Sequence, residues 1–406
     1  MKNRKGLSKV LFFLLLVGLL LTPCGTAFSQ PPYKIGYTNC HSGWLGFMGS
    51  AWRDGFLLGV EEINAAGGIN GHKLNVVLYD DESDVAKGVL AFKKLIDTDK
   101  VLMITGQNQS GVAIACAPIA EQSKVPYLGI GASRWIVAKP GKWQLPADPT
   151  EVFDYVAKFR VDAQTHVEAM YAFAKKRLGV KKFAWVNSST AFGMNCKEIM
   201  QATYKLAGLE LSAMEEYGTN DSDMTSQLTR IKAKDFDAII IYSSDPAGAL
   251  VYKQAREMGI TKPIIADAPM VATPILKTLG QYLEGLYVCV HAPDVPDLNL
   301  LPKNVQPMVP VINKVRKGVM EKYNHRADWI NAYGYDGARM VADALRRAAP
   351  DPTKLEEARA KIRQALMSTK GFVGAYAMGD VTATHELRVP VVMIRLGKGQ
   401  KFELAE

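Results

Sequence analysis

Two kinds of stretch in this chain carry side chains that could do chemistry. The first is acidic. VEEINAAGGINGHKLNVVLYDDESD, from Val60 to Asp84, sets Glu61, Glu62, Asp80, Asp81, Glu82 and Asp84 around one strand-like run. Converging carboxylates hold a hard cation when a glycine-kinked loop aims them inward, but the EF-hand spacing is absent here. His72 also stands at the opposite end of the strand from the acids. They are read as architectural, and no metal or cofactor is expected. The second kind is polar and neutral. In TNCHSGWLGFMG, Ser42 offers a hydroxyl and Trp44 and Met48 large apolar groups. Met48 fits a core as readily as a cleft, whereas Trp44 follows a glycine inside the loop and is assigned to a cleft. In GQNQSG, Gln109, the Ser110 hydroxyl and the first N–H groups of the next helix converge where an anion is stabilised. A capping serine is the plainer reading of Ser110.

Catalytic patterns are missing. The six histidines show no HxH or HExxH pairing that would suggest zinc. A serine hydrolase of an α/β type should carry GxSxG, and none occurs. GIGASR lacks the third glycine of a dinucleotide fingerprint, and GQNQSG lacks the Gly-Lys-Ser/Thr ending of a P-loop. The chain is therefore expected to bind rather than catalyse, with an exported hydrolase as the alternative of a different class.

These loops need elements to hold them. From Tyr33 onward, short β-rich runs alternate with helical patterns. YKIGYT precedes a helix over Gly49 to Ala65, KLNVVLYD one over Val85 to Asp97, and VLMITG one over Gly111 to Ser123. VPYLGIG follows. The alternation resumes with KFAWVN, a helix near Gly193 to Ala207, DAIIIYS, a helix near Pro246 to Met258, and KPIIAD. Strands apolar throughout and spaced by helices signal parallel sheets buried on both faces, so the fold class is α/β, doubly wound. The Pro- and Gly-rich stretch AKPGKWQLPADPTEVFD, Ala138 to Asp154, interrupts the alternation, and a second sheet is expected after it. In such sheets ligands bind beyond the carboxyl ends of the strands. Within the acidic stretch, Gly67 or Gly68 ends a helix in the left-handed conformation, and Ser83 or Asp84 caps the next one.

The chain has 406 residues, 48% of them hydrophobic, at a net charge of +9. Lys2, Arg4, Lys5 and Lys9 precede an apolar run from Val10 to Leu21 and a polar stretch ending AFSQ, the layout of a secretory signal. The run is shorter than the roughly 20 apolar residues of a membrane span. Ala27 and Ser29 suit a cut after Ser29, giving a leader of residues 1–29. Cys24 follows Pro23, which disfavours a lipid-anchored form. Losing the four leader cations lowers the charge to +5, and the densest remaining basic stretch, KKRLGVKK, complements a helix end. Nucleic acid is not an expected partner, and the mature chain is not expected to span a membrane. Cys40, Cys116, Cys196 and Cys289 are far apart in sequence and form no CxxC pair, so pairing among them stays open.

VEEINAAGGINGHKLNVVLYDDESD, QSGVAIACAPIAEQSKVPYLGIGAS and DPAGALVYKQAREMGI together resemble the branched-chain-amino-acid-binding family of ABC-transporter solute-binding proteins. The resemblance runs from about Tyr33 to near Phe402. It implies two α/β lobes of the type I periplasmic-binding fold, joined by three crossovers, with residues 30–160 and 289–375 in one lobe and 161–288 and 376–406 in the other. It further implies that Gly131 supplies a carbonyl and Ser133 a hydroxyl to the ligand. Phe192 stacks where the family has Tyr, and Asp267 meets the ligand's ammonium, a helix cap being the plainer role for that aspartate. Arg134 adds a contact to an acidic ligand or lies at the surface. Transfer of a role to Ser244 is not supported, since SSD lacks the family's aromatic, and SGW departs from the family's TGP. The implied function is periplasmic delivery of a small solute, an amino acid or alternatively an aromatic or other organic acid, to ABC permease subunits by a monomer. A receptor's ligand-sensing module is the weaker expectation, because GKGQKFELAE is followed by no transmembrane or kinase segment.

Overall fold

A computed structural model describes residues 30–405 apart from 143, 145–147, 160–162, 244 and 388. The expected leader, with Cys24, and Ser244 lie outside the described residues.

The first sheet is wholly parallel, in the order β2-β1-β3-β4-β5. Its strands are β1 (Tyr33–Asn39), β2 (Leu74–Asp80), β3 (Met103–Gly106), β4 (Tyr127–Gly129) and β5 (Val156–Lys158). Three helices connect the first four strands in turn: α1 (Gly46–Ala65), α2 (Val85–Asp97) and α3 (Ser110–Gln122). Every residue of β3 and β4 is buried, as a strand covered by helices on both faces requires. The helix ends follow the sequence signals. Gly67 and Gly68 both take positive φ after α1, and Asp84 caps α2 by accepting from the Lys87 N–H. The expectation for the Pro-rich stretch needs correcting. It does not divide the sheets, because β5 follows it and pairs with β4. It is an insertion within the first sheet.

The second sheet has seven strands in the order β14-β13-β10-β9-β8-β6-β7. Helix α4 (Ala163–Leu178) leads into it, with Lys175, Lys176 and Arg177 in its last turn. Then come β6 (Lys182–Ser188), α5 (Ala191–Thr203), β7 (Glu210–Tyr217), α6 (Thr225–Lys232), β8 (Ala238–Tyr242), α7 (Ala247–Glu257), β9 (Ile264–Asp267), α8 (Thr273–Leu279) and β10 (Tyr287–His291). These five strands run parallel. The chain then leaves the sheet.

Helices α9 (Val309–Tyr323), α10 (Trp329–Ala348) and α11 (Leu355–Met367) follow. Of these, α10 lies on α1. Glycines allow the approach, since a Cβ on Gly55 would meet the Asn331 carbonyl oxygen at 2.0 Å and one on Gly334 the Trp52 carbonyl oxygen at 2.0 Å. Tyr333 on α10 donates its hydroxyl to the Ile130 carbonyl at the end of β4, 2.7 Å away. A two-residue pair, β11 (Phe372–Val373) and β12 (Met378–Gly379), precedes the return to the second sheet. There β13 (Val391–Leu396) runs antiparallel to β10 and to β14 (Phe402–Leu404). The fold is thus two α/β lobes with three connections between them. Two of the connections lie side by side: the Lys158 N–H donates to the His385 carbonyl and the Leu387 N–H to the Lys158 carbonyl. Buried Lys158 and Glu386 pair there at 3.0 Å.

Candidate ligand cleft

Parallel strands put their carboxyl ends, and the following helix N-termini, on one edge of each sheet. At that edge of the first sheet, Asn39 ends β1 and its Oδ1 accepts from the Cys40 and Asn108 N–H groups, at 3.0 and 2.8 Å. One side chain therefore ties the loop after β1 to the loop after β3. Gln107 sits at φ 62° and accepts a hydrogen bond from the Tyr127 hydroxyl at 2.6 Å, which turns the chain sharply into α3. The capping role expected of Ser110 falls to its neighbour: Gln109 Oε1 accepts from the Val112 N–H. The Ser110 hydroxyl instead accepts from the Ser133 N–H at 3.3 Å, joining the loops after β3 and β4.

On the second sheet the corresponding device is Thr190. Its Oγ1 accepts from the Gly193 N–H at 3.1 Å and shares a hydrogen with the Ser188 hydroxyl at 2.9 Å, capping α5. Phe192, in the first turn, is buried and packs on Tyr242 at 5.3 Å between ring centroids. The lobes touch beside this point, where the Arg134 N–H donates to Oδ1 of buried Asn195 on α5, 3.1 Å away.

Between these edges lies a cavity of about 20 Å³, walled by Trp44, Leu45, Asn108, Gln109, Ser110 and Gly111 from one side and Thr190, Ala191 and Phe192 from the other. That volume holds about one water molecule, less than an amino acid needs. The N-termini of α3 and α5 both border it, and such ends favour an anion by about 0.3–1 kcal/mol each. No described residue on the wall carries an ionisable side chain.

Of the expected site residues, Trp44, Gln109, Ser110 and Phe192 come together on this wall. Ser42 does not, because its exposed hydroxyl donates to Asp80 Oδ2 at 2.7 Å. Met48 is fully buried in the core. Gly131 and Ser133 lie one layer behind. A Cβ on Gly131 would come within 2.6 Å of Ile136 Cδ1, and the Ser133 hydroxyl caps a short turn by accepting from the Trp135 N–H. The Arg134 guanidinium faces Glu386 at 3.5 Å. Asp267 ends β9, buried; its side chain caps no helix but reaches β8, where Oδ1 accepts from the Ser243 N–H at 3.1 Å. Around it stand Tyr217, whose hydroxyl donates to Ser243 Oγ at 2.5 Å, and Asp245, whose carboxyl burial pushes up to about 6 against its hydrogen bonds. Sequence reasoning passed over Asn108 and Thr190. The Ser/Thr capping signal in NSSTAFG pointed to Thr190; nothing in the local sequence distinguished Asn108, which the side chain of Asn39 positions.

The sequence from residue 32 to residue 401 matches the family described as periplasmic binding protein. This chain belongs to that family. An amino acid binding protein of Pseudomonas aeruginosa is 24% identical over 328 residues, 80% of this chain and 81% of the relative. The Leu/Ile/Val-binding protein BraC3 of Rhizobium johnstonii is 27% identical over 327 residues, 77% of this chain and 83% of the relative. Among solved structures, the leucine binding protein LivK of Thermotoga maritima aligns with a TM-score of 0.76 at 25% identity, covering 91% of this chain and 97% of that one. The branched-chain amino acid transporter substrate binding protein LivJ of Streptococcus pneumoniae, in complex with isoleucine, aligns with a TM-score of 0.76 at 24% identity, covering 92% and 99%. The protein is a type I periplasmic binding protein with a solute-binding role, and its relatives are binding proteins rather than enzymes. Among the described residues no helix is long and apolar enough to cross a membrane.

Proposed function

We propose that the protein captures a small carboxylate-bearing solute in the exported compartment, an amino acid in the first instance, and delivers it to the permease of an ABC importer. The observation that carries this reading is the convergence of two helix N-termini, one from each sheet, on a single cavity at the lobe junction. A carboxylate there is stabilised by both lobes at once, so binding favours closure over the open state. Asp267, at the second sheet's carboxyl edge, is the group proposed to meet the ammonium once the solute has opened the wall. The lobes are taken to divide near residue 160, after β10 and before β13. The names of the relatives support the amino-acid class.

A second reading has its own support. Among the described residues the cavity wall offers N–H groups, hydroxyls and aromatic faces but no negative side chain, which suits an organic acid without an amine. Calorimetry with L-isoleucine and with 3-methylpentanoate, the same carbon skeleton without the amine, separates the two. Binding of the amino acid alone is expected. Equal affinity for both would promote the second reading, and solution scattering that stays unchanged at saturating solute would overturn closure.

A further inference from the structure

Trp44 is a large side chain on a short loop, whose own backbone closes a turn from the Gly46 N–H to the Gly43 carbonyl at 3.1 Å. The loop is also gripped from the neighbouring strand by the acidic stretch that first suggested a metal. Asp80, the last residue of β2, accepts at Oδ1 from the backbone N–H groups of His41 at 2.8 Å, Ser42 at 3.3 Å and Glu82 at 2.9 Å, and at Oδ2 from the Ser42 hydroxyl at 2.7 Å. Ser83 completes the grip. Its hydroxyl donates to the Ser42 carbonyl at 3.0 Å and accepts from the Leu45 N–H at 3.2 Å. The two loops meet so closely that a Cβ on Gly43, at φ 77°, would lie 2.2 Å from the Glu82 carbonyl oxygen. Glu82 and Ser83 themselves take left-handed φ values of 54° and 60°, a conformation few non-glycine residues adopt and one that persists only where surroundings enforce it. The bonds thus bracket Trp44 on both sides, at Ser42 and at Leu45.

We propose that Asp80, with Ser83, is a positioning residue for solute binding, fixing the Cys40–Leu45 loop so that Trp44 and Leu45 form one wall of the cleft. Burial raises the Asp80 carboxyl, but the hydrogen bonds from Glu82, Ser42 and His41 outweigh it and hold the group below its ordinary value. It is therefore an ionised acceptor at neutral pH, and bonds to a charged acceptor are the stronger kind. The role needs acceptor oxygens in this geometry more than it needs charge. An asparagine keeps the Oδ1 position for the three backbone donors, and the Ser42 hydroxyl can turn to accept from its amide.

This inference rests on the cleft reading, but its test needs no solute. The protein holds six tryptophans, and fluorine NMR of 5-fluorotryptophan protein, with Trp44 assigned through Trp44→Phe, reads the loop directly. In Asp80→Ala the Trp44 signal should shift or broaden while the other tryptophan signals stay in place. Hydrogen-exchange protection of the Ser42 amide should fall by about tenfold or more, the factor for losing a charge-assisted bond, and that of the His41 amide, which also donates to the Asn39 carbonyl, by less. Asp80→Asn should restore both. A Trp44 signal unmoved in Asp80→Ala, or an Asp80→Asn variant as disturbed as the alanine, overturns the proposal. Should Asp80→Ala not fold, Ser83→Ala removes one hydroxyl from the same grip and is read by the Trp44 signal and by the protection of the Leu45 amide, which loses its acceptor; a Trp44 signal unmoved there overturns the proposal. Failure of the cleft reading shows separately, as L-isoleucine and 3-methylpentanoate titrations that Trp44→Ala leaves unaltered.

Discussion

The carboxyl edge of the first sheet and that of the second face one cavity, yet they use their acids in different ways. On the first sheet, Asp80 and Asp81 turn away from the cavity and into the neighbouring loops. Asp80 binds the loop after β1, and Asp81 accepts from the Ser83 N–H at 2.9 Å. What remains at the wall is amide, hydroxyl and aromatic. Among the described residues of the second sheet's edge, those on the wall are Thr190 to Phe192 at the start of α5, while Asp245 and Asp267 stay back in a network with Tyr217 and Ser243. Under the proposed function this difference is a division of labour. The first lobe would present a half-site whose loops are tied by hydrogen bonds, and the second would supply the helix end that closes over it, with its negative charge held back for what a bound solute exposes.

The sharpest test of that contrast is Asp267→Ala. If the second edge meets an ammonium, truncating one partner of a desolvated charge pair costs on the order of 2–5 kcal/mol. Amino-acid affinity should then fall at least roughly thirtyfold, since 1.4 kcal/mol is about a factor of ten. Ser110→Ala, on the first edge, removes a neutral hydroxyl and should cost about tenfold or less. Calorimetry on the two variants decides. A larger loss at Ser110 than at Asp267 would reverse the assignment of charge to the second edge.

A smaller effect is expected from pH. Burial pushes the Asp81 carboxyl up to about 7 and the Asp245 carboxyl up to about 6. Unfolded aspartates titrate near 3.9, so between about pH 4 and 7 the folded chain holds protons that the unfolded chain has released. Stability is therefore highest near the unfolded value and is lost as pH rises, through about 6 for Asp245 and about 7 for Asp81. Burial pushes Asp294 up to about 7 and Asp336 up to about 6 as well, which adds to this trend. His41, which burial pushes down to about 4, acts the other way and offsets part of it between about pH 4 and 6.5; Asp80, held below its ordinary value, does so only as pH falls below that value. Thermal melts should give a lower Tm at pH 8 than at pH 5. Asp81→Asn should flatten the upper part of that slope and Asp245→Asn the lower part. A Tm that climbs between pH 5 and 8 would contradict both.

Much of the scaffold was legible because its cause is local. Runs such as AIIIY in β8 are buried along their whole length, and Asp84 caps α2 where the spacing placed a cap. Less legible was anything decided by residues distant in sequence. Nothing in VPYLGIG or its surroundings announced that β5, a three-residue strand after a Pro-rich insertion, would still pair with β4. In the site, Trp44 could be picked out by size and position at a strand end, and Phe192 only through the family resemblance. Ser42 could not be excluded, because its partner Asp80 is 38 residues away. Met48 was ambiguous for a related reason: on α1, one helical face packs in the core and the next lies beside the cleft loop. For Asp267 a helix cap was the alternative to the ammonium contact that the resemblance implies, and the cap is not made: its backbone leaves β9 at ψ 169° and its side chain accepts from the Ser243 N–H just past β8.

The smallest expected effect compares the two caps that border the cavity. Thr190 holds α5 through two contacts, to the Gly193 N–H and to the Ser188 hydroxyl, and so also ties the helix to the end of β6. Gln109 holds α3 through the Val112 N–H, with a long and rotatable side chain. Replacing a Ser, Thr, Asn or Asp cap by alanine typically costs about 1 kcal/mol. Glutamine is not among the favoured caps, and the entropy of ordering its side chain offsets part of its bond. Thr190→Ala should therefore lower stability by about 1 kcal/mol and Gln109→Ala by less, with Thr190→Ser close to the unaltered protein. In a chain of this size that is a Tm change of about 2–4 °C at most, readable in paired melts without solute. A larger drop for Gln109→Ala would mean that the first edge depends on its cap more than the second does. The rigidity assigned to the first half-site would then have to come from the Gln109 side chain rather than from the Asn39, Asp80 and Ser83 bonds between its loops.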